Sequence, residues 1–215
     1  VDYSNTVIYS SARNAYIVPR MKRMMNRTVW AMTKQLRKGS FKPEGYEVSF
    51  GSGKIDRIDT CETEDQVYVK ILDYKTGAKS FDMAAFYHGL QMQLVVYMEE
   101  AVRLEERKHP GKKIVPAGIF YYRMKDPIVG KELDEEKLEE AILKELRLDG
   151  IIRQEDAVIQ RLDADFSGNS LVIPAGKTKS GYSKASKMLL PEEFDAVLTY
   201  AQKRRTDLQG AMYRG

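Results

Sequence analysis

Two aspartates and a lysine are the residues whose types and spacing most clearly suggest chemistry. Asp73 and Lys75 are two residues apart at the end of an apolar run, so on an extended strand their side chains lie on one face. A hairpin that pairs residue 62 with residue 67 also pairs Asp56 with Asp73. Because directly opposed residues have Cβ atoms about 4.5–5.5 Å apart, the sequence predicts two carboxylates and an ammonium group in one place.

Two neighbouring carboxylates repel each other, and one lysine compensates only one of them. A divalent cation with oxygen ligands, Mg²⁺ or Mn²⁺, is the natural partner, and it can activate water and polarise a phosphoryl oxygen. Lys75 would then orient the water or stabilise charge on the phosphate. The alternative is an ordinary surface Asp–Lys pair, the better interpretation of an isolated D-x-K tripeptide. Asp56 and the apolar residues before Asp73 favour the metal site.

A second polar pair follows on a predicted helix. Gln93 and Tyr97 are four residues apart and therefore share a helix face. An amide and a phenol at that position are able to hold a phosphate, a base or a water molecule. The alternative is a tyrosine that packs in the core beside a glutamine that caps a local carbonyl.

Positive charge is concentrated in two segments, although the net charge is only +4. No acidic residue lies between Asp2 and Glu44, and a second basic stretch follows Gly176. Such clusters fit contacts to a phosphate backbone, although a solvated helix face and a surface loop give the same pattern. The predicted DNA-binding residues are Arg20, Lys22, Arg23, Arg27, Lys177 and Lys179.

The elements that must position these residues follow from periodicity and turn signals. Strands are predicted at 46–50, 54–61, 67–75 and 114–123, and helices at 18–38, 82–108, 135–148 and 191–208. Residues 151–190 are expected to be mostly loop, with a short strand near 171–173. The prediction is one α/β domain, residues 1–215, with a central mixed sheet flanked by helices. Within it, 1–45 form a basic helical lead-in, 46–125 the catalytic core, and 126–215 the C-terminal helices and loop.

Composition excludes several classes of protein. With 43% hydrophobic and 31% charged residues among 215, the chain is expected to be soluble and globular. No run approaches the roughly 18 apolar residues that a membrane span needs, so no membrane partner is expected. The single cysteine, Cys61, excludes an internal disulfide and an all-cysteine metal cluster within the chain. We expect the sequence to be a piece of a longer protein.

Three motifs in order carry a family resemblance: GKIDRID at 53–59, ILDYKTG at 71–77 and YHGLQMQLVVY at 87–97. They resemble the nuclease motifs of RecB-type members of the PD-(D/E)xK superfamily, G-x-x-D-R-x-D, D-Y-K-[ST] and Q-x-x-x-Y. The flanking PAGIFYYR at 116–123 is similar to the nuclease domain of B subunits of AddAB-type helicase–nucleases. The resemblance covers the chain from about Tyr46 onward.

The resemblance implies a restriction-endonuclease-like core and a role for each motif residue. Asp56, Asp73 and the backbone carbonyl of Tyr74 would hold the metal, and Lys75 would be the catalytic lysine. Gln93 and Tyr97 would lie near the scissile phosphate. The remaining polar residues of the first motif, Arg57 and Asp59, are on the opposite face by strand parity and are expected to support the structure.

The resemblance also implies features that this sequence lacks. Family members usually have an upstream histidine ligand, whereas His88 and His109 both follow the first motif. The iron–sulfur cluster of the B subunits, held by one cysteine before and three after this region, is expected only in a full-length parent. Cys61 matches none of those cysteines and is expected to be an ordinary thiol near the end of a strand.

The function implied is metal-dependent cleavage of one DNA strand, alongside an AddA-type helicase–nuclease subunit, during double-strand break repair in the bacterial cytoplasm. One alternative is a DNA-binding or scaffold module that has the nuclease fold but does not cleave. Another is a stand-alone RecB-like exonuclease.

Overall fold

The computed structural model describes residues 11–51, 53–77, 80–82, 84–85, 88, 91–129, 134–164 and 166–212, with only the backbone described for 204–212. The helices in this part of the chain are α1 (Ala12–Leu36), α2 (Gln93–Lys108), α3 (Glu135–Glu145), α4 (Asp156–Leu162) and α5 (Pro191–Met212). The strands are β1 (Lys42–Phe50), β2 (Gly53–Glu62), β3 (Gln66–Lys75), β4 (Lys113–Arg123), β5 (Asp149–Arg153), β6 (Lys177–Thr178), β7 (Gly181–Tyr182) and β8 (Met188–Leu189).

The main sheet is six-stranded, in the order β1–β2–β3–β4–β5–β8. β1, β2 and β3 are successive antiparallel neighbours, β3 pairs with β4 in parallel, β4 and β5 are antiparallel, and β5 pairs with β8 in parallel. A parallel pair needs a crossover connection, and α2 lies in the one between β3 and β4. The predicted mixed sheet flanked by helices is confirmed.

Helices cover both faces of the sheet, so the central strands are buried on both sides. On one face, here called the α2 face, Val69 and Ile71 of β3 pack with Leu94 of α2 and Phe194 of α5. On the other, the α1 face, Leu72 of β3 packs with Ile159 of α4 and the half-buried Met32 of α1. Alternate residues of β3 therefore serve two separate hydrophobic cores.

Side-chain caps fix the start of two helices. The Ser11 hydroxyl accepts a hydrogen bond from Asn14 N at 3.2 Å at the start of α1, and Asp134 Oδ1 accepts one from Lys137 N at 2.9 Å at the start of α3. Each cap satisfies one of the amide groups that a helix N-terminus leaves unpaired. The two helices pack together through Trp30 and Ala31 of α1 and Ile142 of α3.

The predicted loop at 151–190 is wrong in its first third. Residues 149–153 form the wholly buried strand β5, and Asp156–Leu162 is α4. The strand predicted near 171–173 is also wrong, because this segment is a bend. Ser170 Oγ accepts hydrogen bonds from the amides of Val172 and Ile173, each at 3.0 Å, and this turns the chain away from an extended conformation.

The long helix predicted from Asp82 is interrupted, although residues 84–85 are helical. Asp82 does cap the backbone, since its carboxylate accepts hydrogen bonds from Ala84 N and Ala85 N. The described helix α2 nevertheless begins at Gln93, after a turn at 91–92. The Gln91 side chain turns back to Ser80 O and Asp82 N, 3.0 Å from each, and this fixes the turn. Residues 83, 86–87 and 89–90 lie outside the described part.

Among the described residues, no helix combines the length and apolar character needed to cross a membrane.

Candidate active site

The β2–β3 hairpin has the predicted register. Cα partners run from Glu62 and Val67 to Arg57 and Leu72, which confirms the pairing inferred from the sequence over this range. One step further, Asp56 Oδ2 accepts a hydrogen bond from the backbone N–H of Tyr74 at 2.8 Å. The carboxylate of Asp56 is therefore in direct contact with the peptide group that follows Asp73.

Asp73 lies at the buried end of β3 on the α2 face, with only 3% of its surface exposed. Its Oδ2 forms an ion pair with Lys75 Nζ, whose side chain is a quarter exposed. Lys75 Nζ also lies 5.6 Å from the ring centroid of Tyr121 on β4. The two carboxylates and the ammonium group are thus brought to one end of the hairpin, as their spacing predicted.

Gln93 and Tyr97 are in direct contact on α2. Gln93 Nε2 donates a hydrogen bond to the Tyr97 hydroxyl at 2.5 Å, and the Tyr97 ring meets Phe50 of β1 edge to face at a centroid separation of 5.5 Å. Because Tyr97 O accepts this bond, its own proton is available for another acceptor. Residues 87, 89 and 90 of the third motif lie outside the described residues.

Tyr121 links these groups electrostatically. Its pKa is raised, first by burial and then by the negative charges of Asp73 and Asp149 and by Tyr97. Asp73 and Asp149 are the register partners of Tyr121 on the two neighbouring strands, so these three side chains border one space at the carboxyl ends of β3 and β4. The neutral phenol places no further negative charge next to Asp73.

The sequence analysis did not predict that Asp149 borders this space. Asp149 on β5 accepts hydrogen bonds from Phe81 N at 3.1 Å and from Lys187 Nζ at 2.5 Å, and Lys187 Nζ also lies 3.2 Å from Phe81 O. Phe81 in turn packs against Tyr121 at a centroid separation of 6.4 Å. The acid between apolar residues in LRLDGII was a usable signal for Asp149, but nothing local in the sequence joins it to Lys187.

A buried ionic cluster supports the hairpin from the α1 face. The guanidinium group of Arg57 donates to Asp59 at 2.5 and 2.8 Å and to the Tyr74 hydroxyl at 3.3 Å. Lys70 Nζ lies 3.3 Å from Asp59, and burial lowers the pKa of Lys70. Burial raises the pKa of Tyr74. Arg57 and Asp59 thus lie on the opposite face from Lys75, as strand parity predicted.

The donor set at the hairpin suits a hard divalent cation. Asp56 and Asp73 offer carboxylate oxygens, and the Tyr74 carbonyl offers a backbone oxygen, which are the ligand types that Mg²⁺ and Mn²⁺ prefer. The described residues contain no group of three or more histidine, cysteine or acidic side chains that could hold a metal. A cation here would therefore need oxygens from water or substrate, as Mg²⁺ usually does.

The predicted DNA-binding residues fall into two separate groups. Arg20, Lys22, Arg23 and Arg27 project from α1, and the last two lie 3.6 and 3.9 Å from Asp126. Lys177 begins the β6–β7 hairpin, with its Nζ 4.6 Å from the ring centroid of Phe166, and Lys179 is exposed in the turn. In the described part of the chain, no hydrogen bond or ion pair joins this hairpin to α1 or to Asp56 and Asp73.

Cys61 is buried in the core of the α1 face as a free thiol. It packs among apolar side chains there, in agreement with the interpretation of an ordinary thiol near a strand end.

Comparison with known proteins shows the family of the chain. The model of the PD-(D/E)XK nuclease superfamily matches residues 3–207, and the chain belongs to that superfamily. The resemblance seen in the three motifs is thereby confirmed.

The chain is also similar to longer curated proteins, each named as the B subunit of an ATP-dependent helicase/deoxyribonuclease. The protein from Alkaliphilus metalliredigens is 35% identical over the whole of this chain, and that from Lachnoclostridium phytofermentans is 37% identical over 93% of it. The protein from Caldanaerobacter subterraneus is 34% identical over 97% of the chain. The chain spans about one fifth of the length of these relatives.

Proposed function

We propose that this chain hydrolyses phosphodiester bonds in DNA with the help of a divalent cation held at the β2–β3 hairpin. The observation that carries the proposal is the convergence of Asp56 on the Asp73–Tyr74 peptide while Lys75 pairs with Asp73. Membership of the nuclease superfamily supports the reaction class.

Asp56, Asp73 and the Tyr74 carbonyl would hold Mg²⁺ or Mn²⁺. The cation supplies Lewis acidity and charge neutralisation for attack on a phosphodiester. Lys75 reaches into the same space and is partly exposed, so it orients the attacking water and stabilises negative charge that develops on the phosphate. The neighbouring Tyr121 ring limits where the ammonium group can move.

Gln93 and Tyr97 would position the substrate. Because Gln93 donates to the Tyr97 oxygen, the phenol proton is directed to another acceptor, and a phosphate oxygen entering the site provides one. The edge-to-face contact with Phe50 fixes the phenol ring, so the donor is in place before substrate arrives.

The relatives suggest the setting of this reaction. Their name includes both a helicase and a deoxyribonuclease activity and describes one subunit of a larger enzyme. We infer that the chain is the nuclease domain of such a subunit. It would cut one strand of an unwound duplex as an exonuclease, beside an AddA-type partner, during recombinational repair in the bacterial cytoplasm.

The test is cleavage of labelled single-stranded DNA by the chain with Mn²⁺, with Mg²⁺ and with EDTA. We expect cleavage with metal only. Asp73→Asn and Lys75→Met should each lower the rate at least about a hundredfold, because each removes a charge used in the transition state.

Matched controls lie at the opposite end of the sheet. Asp65 is exposed in the β2–β3 turn and Lys113 is exposed at the start of β4, so Asp65→Asn and Lys113→Met should cleave like the wild type. DNA binding without cleavage in every metal condition would instead support a non-cleaving binding module. Unchanged cleavage by both Asp73→Asn and Lys75→Met would disprove the assigned site.

A further inference from the structure

A pocket of about 340 Å³ lies between α1 and the segment after β4. Its lining consists of Arg23, Asn26, Arg27, Trp30 and Asp126. These are two cationic side chains, an amide, an indole ring and one carboxylate. The volume lies within the range of small-molecule sites, and no residue of the β2–β3 hairpin lines it.

The guanidinium groups of Arg23 and Arg27 have N–H donors that are available to a ligand. Each faces Asp126 at 3.6–3.9 Å, too far for a good hydrogen bond, and a single carboxylate compensates only one of the two charges. Their side chains are 66% and 39% exposed. No hydrogen bond to either guanidinium group occurs among the described residues. A phosphate in this pocket would meet a net positive charge and several unused donors.

Trp30 provides an aromatic surface beside these charges. The indole is half-buried and packs against the core formed by Ala31, Ile142 and Leu143, which holds it in place. The guanidinium carbon of Arg27 lies 5.9 Å from the ring centroid. A rigid aromatic ring next to cationic groups is the combination with which proteins bind single-stranded nucleic acid, by base stacking and phosphate contacts together.

The pocket also lies close to the candidate active site along the chain. Lys75 pairs with Arg123, and Lys75 O accepts a hydrogen bond from Met124 N at 2.8 Å. Asp126 is two residues beyond Met124, a span of at most about 7 Å. A DNA strand leaving the α2 face around the carboxyl ends of β3 and β4 would therefore reach this pocket.

We propose that the pocket is a subsite for one nucleotide of single-stranded DNA. Arg23 and Arg27 bind the phosphate, and the base stacks on Trp30. Asp126 holds the two arginines in place while the pocket is free. This inference rests on the proposed function, because it assumes that a DNA strand occupies the neighbouring site.

Trp30 is the only tryptophan of the sequence, so its fluorescence reports this pocket alone. We would titrate the chain with a short oligo(dT) in EDTA, where cleavage is absent. Base stacking should quench the emission. An abasic strand of the same length should bind more weakly and leave the emission unchanged. Quenching by the abasic strand equal to that by oligo(dT) would overturn the proposal.

Substitutions test the charges, with affinity measured by anisotropy of a labelled oligo(dT). Arg27→Gln should weaken binding about tenfold, and Arg23→Gln with Arg27→Gln should lower the salt slope of log K by about 0.7, the value for one single-strand phosphate. Asp126→Asn should tighten binding, because it removes the competing carboxylate. Arg37→Gln, at the end of α1, is the matched control and should bind like the wild type.

Equal affinity of Arg27→Gln and the wild type, or weaker binding by Asp126→Asn, would overturn the subsite. These outcomes are separate from the test of the proposed function. Absence of Trp30 quenching by oligo(dT) together with normal metal-dependent cleavage rejects only the subsite, whereas quenching without cleavage in any metal rejects the nuclease assignment.

Discussion

At the scale of single residues, the roles proposed for the hydroxyl of Tyr97 and for the carboxylates of the hairpin can be tested separately. Gln93 donates to Tyr97 and does not contact Asp56 or Asp73 among the described hydrogen bonds. A role in holding the phosphate therefore predicts an effect on cleavage without an effect on metal binding.

Tyr97→Phe tests this separation. It removes the phenol donor but retains the ring that packs against Phe50. We expect kcat to fall about a hundredfold, as on removal of a single transition-state donor, and Mn²⁺ affinity measured by calorimetry to stay unchanged. Tyr200→Phe, at an exposed position of α5, is the control. Weaker Mn²⁺ binding by Tyr97→Phe would contradict the separation.

Tyr122 gives a prediction about pH. Burial raises its pKa, and its hydroxyl is buried without a hydrogen-bond partner among the described residues. In the unfolded chain the phenol ionises near pH 10, while in the folded chain it stays protonated. The stability it contributes is therefore complete below about pH 10 and is lost as pH rises toward the folded pKa.

Tyr122→Phe should remove this alkaline loss. Near pH 7 we expect stability close to that of the wild type, because the hydroxyl lacks a partner among the described residues. By pH 11 the variant should have gained about 1.4 kcal/mol relative to the wild type. Urea unfolding at pH 7, 10 and 11 measures the difference. A constant difference across these values would disprove the cause given for the raised pKa.

At the scale of elements, β4 and β5 can approach closely because Gly150 has no side chain. A Cβ atom built on Gly150 would overlap Ile119 O, a backbone atom of the neighbouring strand. No rotamer change relieves such a contact, so the strands must separate. Since Asp149 lies next to Gly150, separation would also move the wall of the candidate active site.

We therefore expect Gly150→Ala to cost about 3 kcal/mol or more, at or beyond the upper end for overpacking. For a domain of this size that lowers the melting midpoint by roughly 6–12 °C. Gly77→Ala is the matched control, because a Cβ there meets nothing within 4 Å. Calorimetry measures the melting midpoint of each variant. Equal midpoints would contradict the close packing of β4 and β5.

What the sequence predicted at this scale was mainly local. The β2–β3 register followed from a short turn, in which Thr63 Oγ1 bonds to Gln66. β5 was missed because a short strand buried on both faces has no alternation of polar and apolar residues. The contact of Lys187 with Asp149 joins distant segments, and no spacing rule predicts it.

At the scale of the whole molecule, metal binding should stabilise the fold. The proposed ligands lie on β2 and β3, and unfolding would separate them. A cation that binds only the folded chain stabilises it by about 2.7 kcal/mol at a hundred times its dissociation constant.

Thermal melting with and without Mn²⁺ measures this effect. We expect the midpoint to rise with Mn²⁺ in the wild type and in Asp65→Asn, whose side chain is exposed at the turn. Asp56→Asn should lose the increase. A similar increase in Asp56→Asn would show that the cation binds elsewhere.

The parallel pairing of β3 with β4 has a consequence for folding kinetics. The hairpin that brings Asp56 near Asp73 is a local structure, whereas Tyr121 reaches it only after the crossover through α2 has docked. Contacts that close long loops form slowly. Recovery of cleavage after dilution from denaturant should therefore follow completion of the sheet. A partly folded chain would then not cleave DNA.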